Sequence, residues 1–196
     1  GNHDYYQATI NQVRYQLKYM LQAFTNIFYL PDNGPIKLND EWSIVGVDGW
    51  ADARAGNFQA SPSLIKDYQV IHDFIGKSDQ QKQRILGRLG EEEAFRLKDI
   101  LSREIKEKNV LIATHVPPYE QAHVYEGAPA SYIYTPHFVC KSTGEVIDEY
   151  SKAHPDKNIK VICGHTHQAF EYKKDNITVN VAGATYSNPV INIITL

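Results

Sequence analysis

Asn109-Val110-Leu111-Ile112-Ala113-Thr114-His115-Val116-Pro117-Pro118 sets a short, uninterrupted apolar run directly against a proline-stiffened polar loop. A continuous apolar segment of this length reads as a strand buried on both faces, the habit of parallel sheets. Lys160-Val161-Ile162-Cys163, followed by Gly164-His165-Thr166-His167, repeats the arrangement. Open α/β sheets place their ligands beyond the C-terminal ends of their strands, so each histidine loop is a candidate site.

Working outward, residues 5–28 predict one helix, with Tyr6, Ile10, Val13, Leu17, Met20, Leu21, Phe24 and Phe28 forming an apolar stripe at steps of three and four. Pro31-Asp32-Asn33-Gly34-Pro35 forces a turn. Two short strands follow, over 36–38 and 42–47, the second running into Gly46-Val47-Asp48-Gly49-Trp50 and a polar loop. Ser61-Pro62-Ser63 opens a helix to residue 74. Residues 79–108 read as two helices interrupted at Gly87 and Gly90, with Glu91-Glu92-Glu93 a solvated, dipole-matched start to the second.

Residues 116–137 form a long proline- and tyrosine-rich loop, and loops of that length in a compact domain usually carry function. Ser142 and Glu145 have capping-box spacing, predicting a helix to about His154, where Pro155 stops it. Strands are expected over 169–172, 177–182 and 190–196, with a hairpin turn at 173–176. Strands alternate with helices and no repeat or linker intervenes, so residues 1–196 read as one mixed α/β domain.

The net charge is −3 and the basic residues do not cluster, which argues against a dedicated nucleic-acid surface. No apolar run approaches the ~20 residues needed to span a bilayer. Cys140 and Cys163 lie in unrelated settings and read as reduced, buried thiols of a cytoplasmic protein.

A third polar cluster, Gly1-Asn2-His3-Asp4, stands just before the first helix. Singly each cluster is weak: with 8 His in 196 residues, chance places about 0.3 His-x-His pairs. A lone His after a strand is also commonly just a hydrogen-bonded loop residue. Three such loops together make sense as a metal site, because imidazole nitrogen suits borderline metals and an Asn carbonyl is a harder, neutral co-ligand. Gly beside a ligand permits close backbone approach, and Pro117-Pro118 stiffens the loop presenting His115.

Gly1-Asn2-His3-Asp4, Thr114-His115-x-Pro-Pro and Gly164-His165-Thr166-His167 together resemble the later motifs of calcineurin-like metallophosphoesterases, in order and in spacing. That resemblance implies a four-layer αββα sandwich of two mixed sheets. It implies Asn2, His115 and His165 as ligands of one metal, His167 as a ligand of the other, His3 as the acid beside the phosphate, and Asp4 as the group that orients it. It further implies two divalent ions, Mn, Fe or Zn, clamping the phosphate and activating water, and a small phosphorylated molecule or a phosphoprotein as substrate. The family's Asp-x-His and Gly-Asp-x-x-Asp motifs are not found, so the chain is expected to lack the first strands and helices and to hold at most one ion weakly by itself.

Asp48, Trp50 and Arg54 in the loop after the second strand, and Tyr119 in the long loop, are candidate substrate contacts, Arg54 for its forked donors. A turn with a surface ion pair and a loop packed by its own aromatics are the plainer alternatives. His123 and Tyr125 are placed to cap a leaving group, whereas His72, His137 and His154 carry no motif and read as structural. A non-catalytic scaffold on the same fold is the rival function. Five retained site residues, Asn2, His3, His115, His165 and His167, favour catalysis over it.

Overall fold

A computed structural model describes residues 1–62, 65–186, 191, 193, 194 and 196. Its centre is a six-stranded mixed sheet, in the order β1 (Ile36–Lys37), β2 (Trp42–Gly46), β3 (Asn109–Ala113), β6 (Asn158–Cys163), β8 (Ile177–Val181) and β7 (Phe170–Lys174). The four inner strands run parallel, and an antiparallel neighbour closes each edge. A separate two-stranded sheet, β4 (Val124–Tyr125) with β5 (Ala128–Pro129), forms inside the long loop.

Register decides which face is core. Val45, Ile112, Val161 and Val179 lie in one row across the inner strands, and all four are essentially fully buried. They pack under α3 (Asp79–Leu101) and α4 (Lys141–Ala153) through Leu97, Ile100, Leu101, Ile147 and Tyr150. The opposite face, which includes Ile44, Lys160, Ile162, Thr178 and Asn180, is half-buried, so β6 alternates rather than being buried on both sides. A second cluster built on Tyr5, Ile10, Trp50, Phe58, Tyr68, Ile71 and Phe74 packs against the first turns of α3.

Several elements differ from expectation for identifiable reasons. The first helix is only α1 (Ile10–Leu21), begun by the Thr9 hydroxyl accepting from the Gln12 amide, and preceded by a 3-10 turn over Asn2–Tyr5. Its stripe is core on one end alone: Ile10 is buried, while Met20, Phe24 and Phe28 are exposed. The helix expected over 61–74 reduces to α2 (Asp67–Val70), and Ser63 lies outside the described residues.

The two helices expected over 79–108 are one, running through both glycines. Gly90 costs helix propensity, about 1 kcal/mol against Ala, but a Cβ there would lie 2.3 Å from the Asp52 Cβ. Close packing, not interruption, is its purpose. Glu93 is correspondingly not surface but fully buried. The Ser142/Glu145 capping box does not form either. Asp52 Oδ2 accepts from both the Ser142 amide and hydroxyl at 2.8 Å, so a carboxylate from another loop caps α4. The strand expected over 190–196 falls largely on residues outside the described set. Cys140 and Cys163 are buried free thiols, pushed up to about 12 by burial. Among the described residues no helix is long and apolar enough to cross a membrane.

Candidate metal centre

The C-terminal ends of β2, β3 and β6 deliver Gly49, His115 and His165 to one place, where the turn at Asn2–Tyr5 meets them. Asn2 Oδ1 lies 2.8 Å from His115 Nε2, and His115 Nε2 lies 3.1 Å from His165 Nδ1. Residues 113 and 50 positions apart thus converge on an enclosed gap of about 20 Å3, room for one ion or water. Donor atoms roughly 3 Å apart are what four or more ligands at ~2.0–2.1 Å from a common ion require.

Neighbouring groups fix which atoms face the gap. Asn2 Nδ2 donates to both oxygens of Asp67, at 2.8 and 3.0 Å, which turns its carbonyl oxygen inward. Tyr6 donates its hydroxyl to the same carboxylate at 2.9 Å. His165 Nε2 donates to the His137 carbonyl at 3.2 Å, leaving Nδ1 with a lone pair toward His115. His115 Nε2 therefore faces two acceptors and brings at most one proton to share between them. Burial first, then His165, pushes the His115 pKa down to about 2. Burial also lowers His165 to about 4, against the pull of Asp67 and of its bond to the His137 carbonyl. Both rings are neutral at physiological pH, the form a metal needs.

The backbone is built for the approach. A Cβ on Gly1 would sit 2.5 Å from the His115 ring. His165 and His167 both hold positive φ, 66° and 61°, rare for non-glycine residues and typical of sites where the surroundings over-determine the chain. The described buried side-chain atoms with no protein partner are Trp50 Nε1, Thr114 Oγ1 and Thr166 Oγ1, all bordering these loops. Of these, Trp50 borders the gap itself, where an orphaned polar atom fits a polar ligand.

Other expected residues stand elsewhere. His167 is not drawn into the trio; its ring meets Tyr186 at 4.7 Å. Among the described residues no group of three His, Cys, Asp or Glu side chains is assembled for an ion, so the trio depends on the Asn2 amide. His3 is exposed on the rim, 4.6 Å from the Tyr6 ring and stacked with Tyr186 at 6.2 Å. Asp4 is exposed, with 70% of its side chain open to solvent.

The expected substrate contacts are engaged in packing. Asp48 accepts from Tyr5, Tyr29 and Arg14. Trp50 is buried beneath the gap, Arg54 forks onto Glu145, and Tyr119 is buried against Asp148 on another side of the sheet. Asp48 and Tyr119 found partners inside the fold that a loop assignment does not show, whereas Arg54 makes the surface ion pair of the plainer alternative.

The comparison with known proteins is structural. The chain matches the crystal structure of the phosphopantetheinyl hydrolase PptH from Mycobacterium tuberculosis with a TM-score of 0.62 at 12% identity, over 93% of this chain and 67% of that one. No family model and no curated protein matches the sequence. At that identity the likeness speaks for the fold, and the site rests on the geometry above.

His137, which carries no motif, is central to that geometry. It is buried, with Nε2 2.7 Å from Ser61 Oγ and Nδ1 2.6 Å from Tyr68 Oη. Burial, then repulsion from His165, lowers its pKa to about 4. Between pH 4 and 6.5 the unfolded ring takes a proton that the folded one refuses, so stability falls as pH falls, by about 1.4 kcal/mol per unit for this group. Urea midpoints measured from pH 6.5 to 4.5 are expected to decline, and less steeply in His137→Gln. An unchanged slope in that variant rules out the assignment.

Proposed function

We propose that this chain carries the histidine loops of a metal-dependent phosphoesterase that hydrolyses a phosphomonoester or phosphodiester. One observation carries the reading: three neutral donor atoms, Asn2 Oδ1, His115 Nε2 and His165 Nδ1, converge on an ion-sized gap with their orientations fixed from behind. The likeness to a phosphopantetheinyl hydrolase and the motif resemblance point the same way. An imidazole-rich set favours Mn, Fe or Zn over Mg. A bound ion supplies Lewis acidity and lowers the pKa of water.

The residues do the rest. Asn2, His115 and His165 would hold the ion, and His167, which the motif resemblance gives to a second ion, lies outside this trio. Exposed His3 on the rim delivers a proton to the departing oxygen, an effect of about 10²–10⁴ in rate. A six-stranded sheet with helices on one face and a half-buried opposite face suits one half of a four-layer sandwich. Two buried free thiols suit a reducing, cytoplasmic setting. A small phosphorylated molecule or a phosphoprotein is the substrate in this reading.

The test is metal content by elemental analysis, together with hydrolysis of chromogenic mono- and diesters by the full protein in Mn2+. Wild type is expected to retain metal and turn over, and His115→Ala to do neither. A wild type that binds no metal ends the proposal. Asp67→Asn, which no longer fixes the Asn2 amide, is expected to weaken metal binding about 10–100-fold in a chelator competition, and Tyr6→Phe by less. Undiminished affinity in Asp67→Asn removes it from the site.

A further inference from the structure

Beside the metal-type cluster lies a larger cavity of about 620 Å3, within the range of small-molecule sites. His165 and His167 form part of its wall, so the two spaces share a boundary. Thr166 and Gln168 flank these histidines, and the rest of the described lining runs from His123 to Phe138 and includes Tyr186, with Tyr125, Tyr134, Phe138 and Tyr186 giving it an aromatic character. The rings are continuous: His123 stacks on Phe138 at 5.0 Å and 19°, and Phe138 meets His165 at 4.8 Å.

The wall is hydrogen-bonded rather than loose. The β4–β5 hairpin holds it, the Ala130 amide donates to the His123 carbonyl at 3.0 Å, and the Ser131 carbonyl takes the Tyr134 and Thr135 amides at 2.9 and 3.2 Å. None of its described lining residues is Asp, Glu, Lys or Arg. A second phosphate would find no Lys or Arg there, and Ser131, Thr166 and Gln168 offer a polyol only part of the hydrogen bonds it makes in water. An apolar ring or chain would bury its surface without that loss.

Resting on the phosphoesterase reading, we infer that this cavity is the leaving-group site, and that it selects phosphate esters of uncharged, largely apolar alcohols. The phosphate sits at the histidines while the alcohol portion lies between Phe138, Tyr134 and Tyr186.

The experiment compares 1-naphthyl phosphate with glycerol 2-phosphate as substrates of the full protein in Mn2+. KM for the naphthyl ester is expected to be at least tenfold lower at similar kcat. Ala130→Trp, which fills the cavity, and Tyr134→Ala, which strips its wall, are expected to erase that advantage. Equal KM values in wild type, or an advantage that survives Ala130→Trp, overturn the inference and leave the phosphoesterase reading standing. If neither ester is turned over, that reading fails instead, and 1-naphthol fluorescence still tests the cavity. Binding abolished by Ala130→Trp supports an apolar site, and no binding overturns it.

Discussion

Arg14→Met is expected to cost this protein about 3–5 kcal/mol, the usual penalty for removing one partner from a buried ion network. Arg14 is only 10% exposed and serves two buried carboxylates at once, Nε donating to Asp48 Oδ2 at 2.7 Å and Nη2 to Glu93 Oε1 at 2.5 Å, with Nη1 also 3.5 Å from the partly exposed Glu92 carboxylate. Burial opposes its charge, but Asp48 and Glu93 more than offset that, and its pKa is raised. Glu93 is fully buried, and burial, then Asp48, pushes it up to about 7 despite Arg14 and the Gly49 amide.

Methionine keeps most of the volume and removes the cation, leaving two carboxylates facing one another away from water. The loss should be read from urea unfolding at pH 7. It should be largest at about pH 9 and shrink toward pH 7, because Glu93, already raised to about 7 beside Arg14, is raised further without the cation and relieves the repulsion by taking a proton there. A loss under 1 kcal/mol, or one independent of pH, would falsify this account of the network. The consequence reaches the site, since Asp48 directly precedes Gly49 and the Gly49 amide donates to Glu93 Oε2 at 3.3 Å.

The apolar runs at Asn109–Ala113 and Asn158–Cys163 announced their strands because inner strands of a parallel sheet need an apolar row on the helix-covered face, and the histidines after them marked the sheet end where the donors converge. Asp67 and His137 sent no such signal. Asp67 sits on a four-residue helix, and His137 acts on His165 through its backbone carbonyl, which every residue possesses. Glu93 was hidden for a different reason. A charged residue in an acidic run reads as surface until Arg14, 79 positions away, is known to meet it. Gly90 misled similarly, since the sequence shows a weak helix former but not the Asp52 backbone that forbids any larger side chain. Periodicity reports the water-facing or core-facing habit of a segment, whereas pairings set by tertiary placement leave no local trace.

Two glycine substitutions, compared side by side, separate backbone strain from site geometry. Gly76 and Gly49 both hold positive φ, 70° and 78°, so alanine at either pays for a left-handed conformation, about 1–2 kcal/mol. Around Gly76 a new Cβ meets nothing within 4 Å. At Gly49 it would lie 2.2 Å from the His115 amide nitrogen and 2.3 Å from Thr114 Oγ1. The first of these is backbone at the end of β3, so it cannot swing aside like a flexible side chain. Gly49→Ala is therefore expected to cost more than about 4 kcal/mol, near the top of the range for single substitutions. Tm should fall by roughly 8 °C or more, against a few degrees for Gly76→Ala. Any folded Gly49→Ala protein has to carry His115 in a displaced position, so its metal affinity should fall while that of Gly76→Ala does not. Equal Tm losses in the two variants would show that the β2 loop yields freely, and that the tight seating of Gly49 on the His115 backbone does not hold the donor trio together.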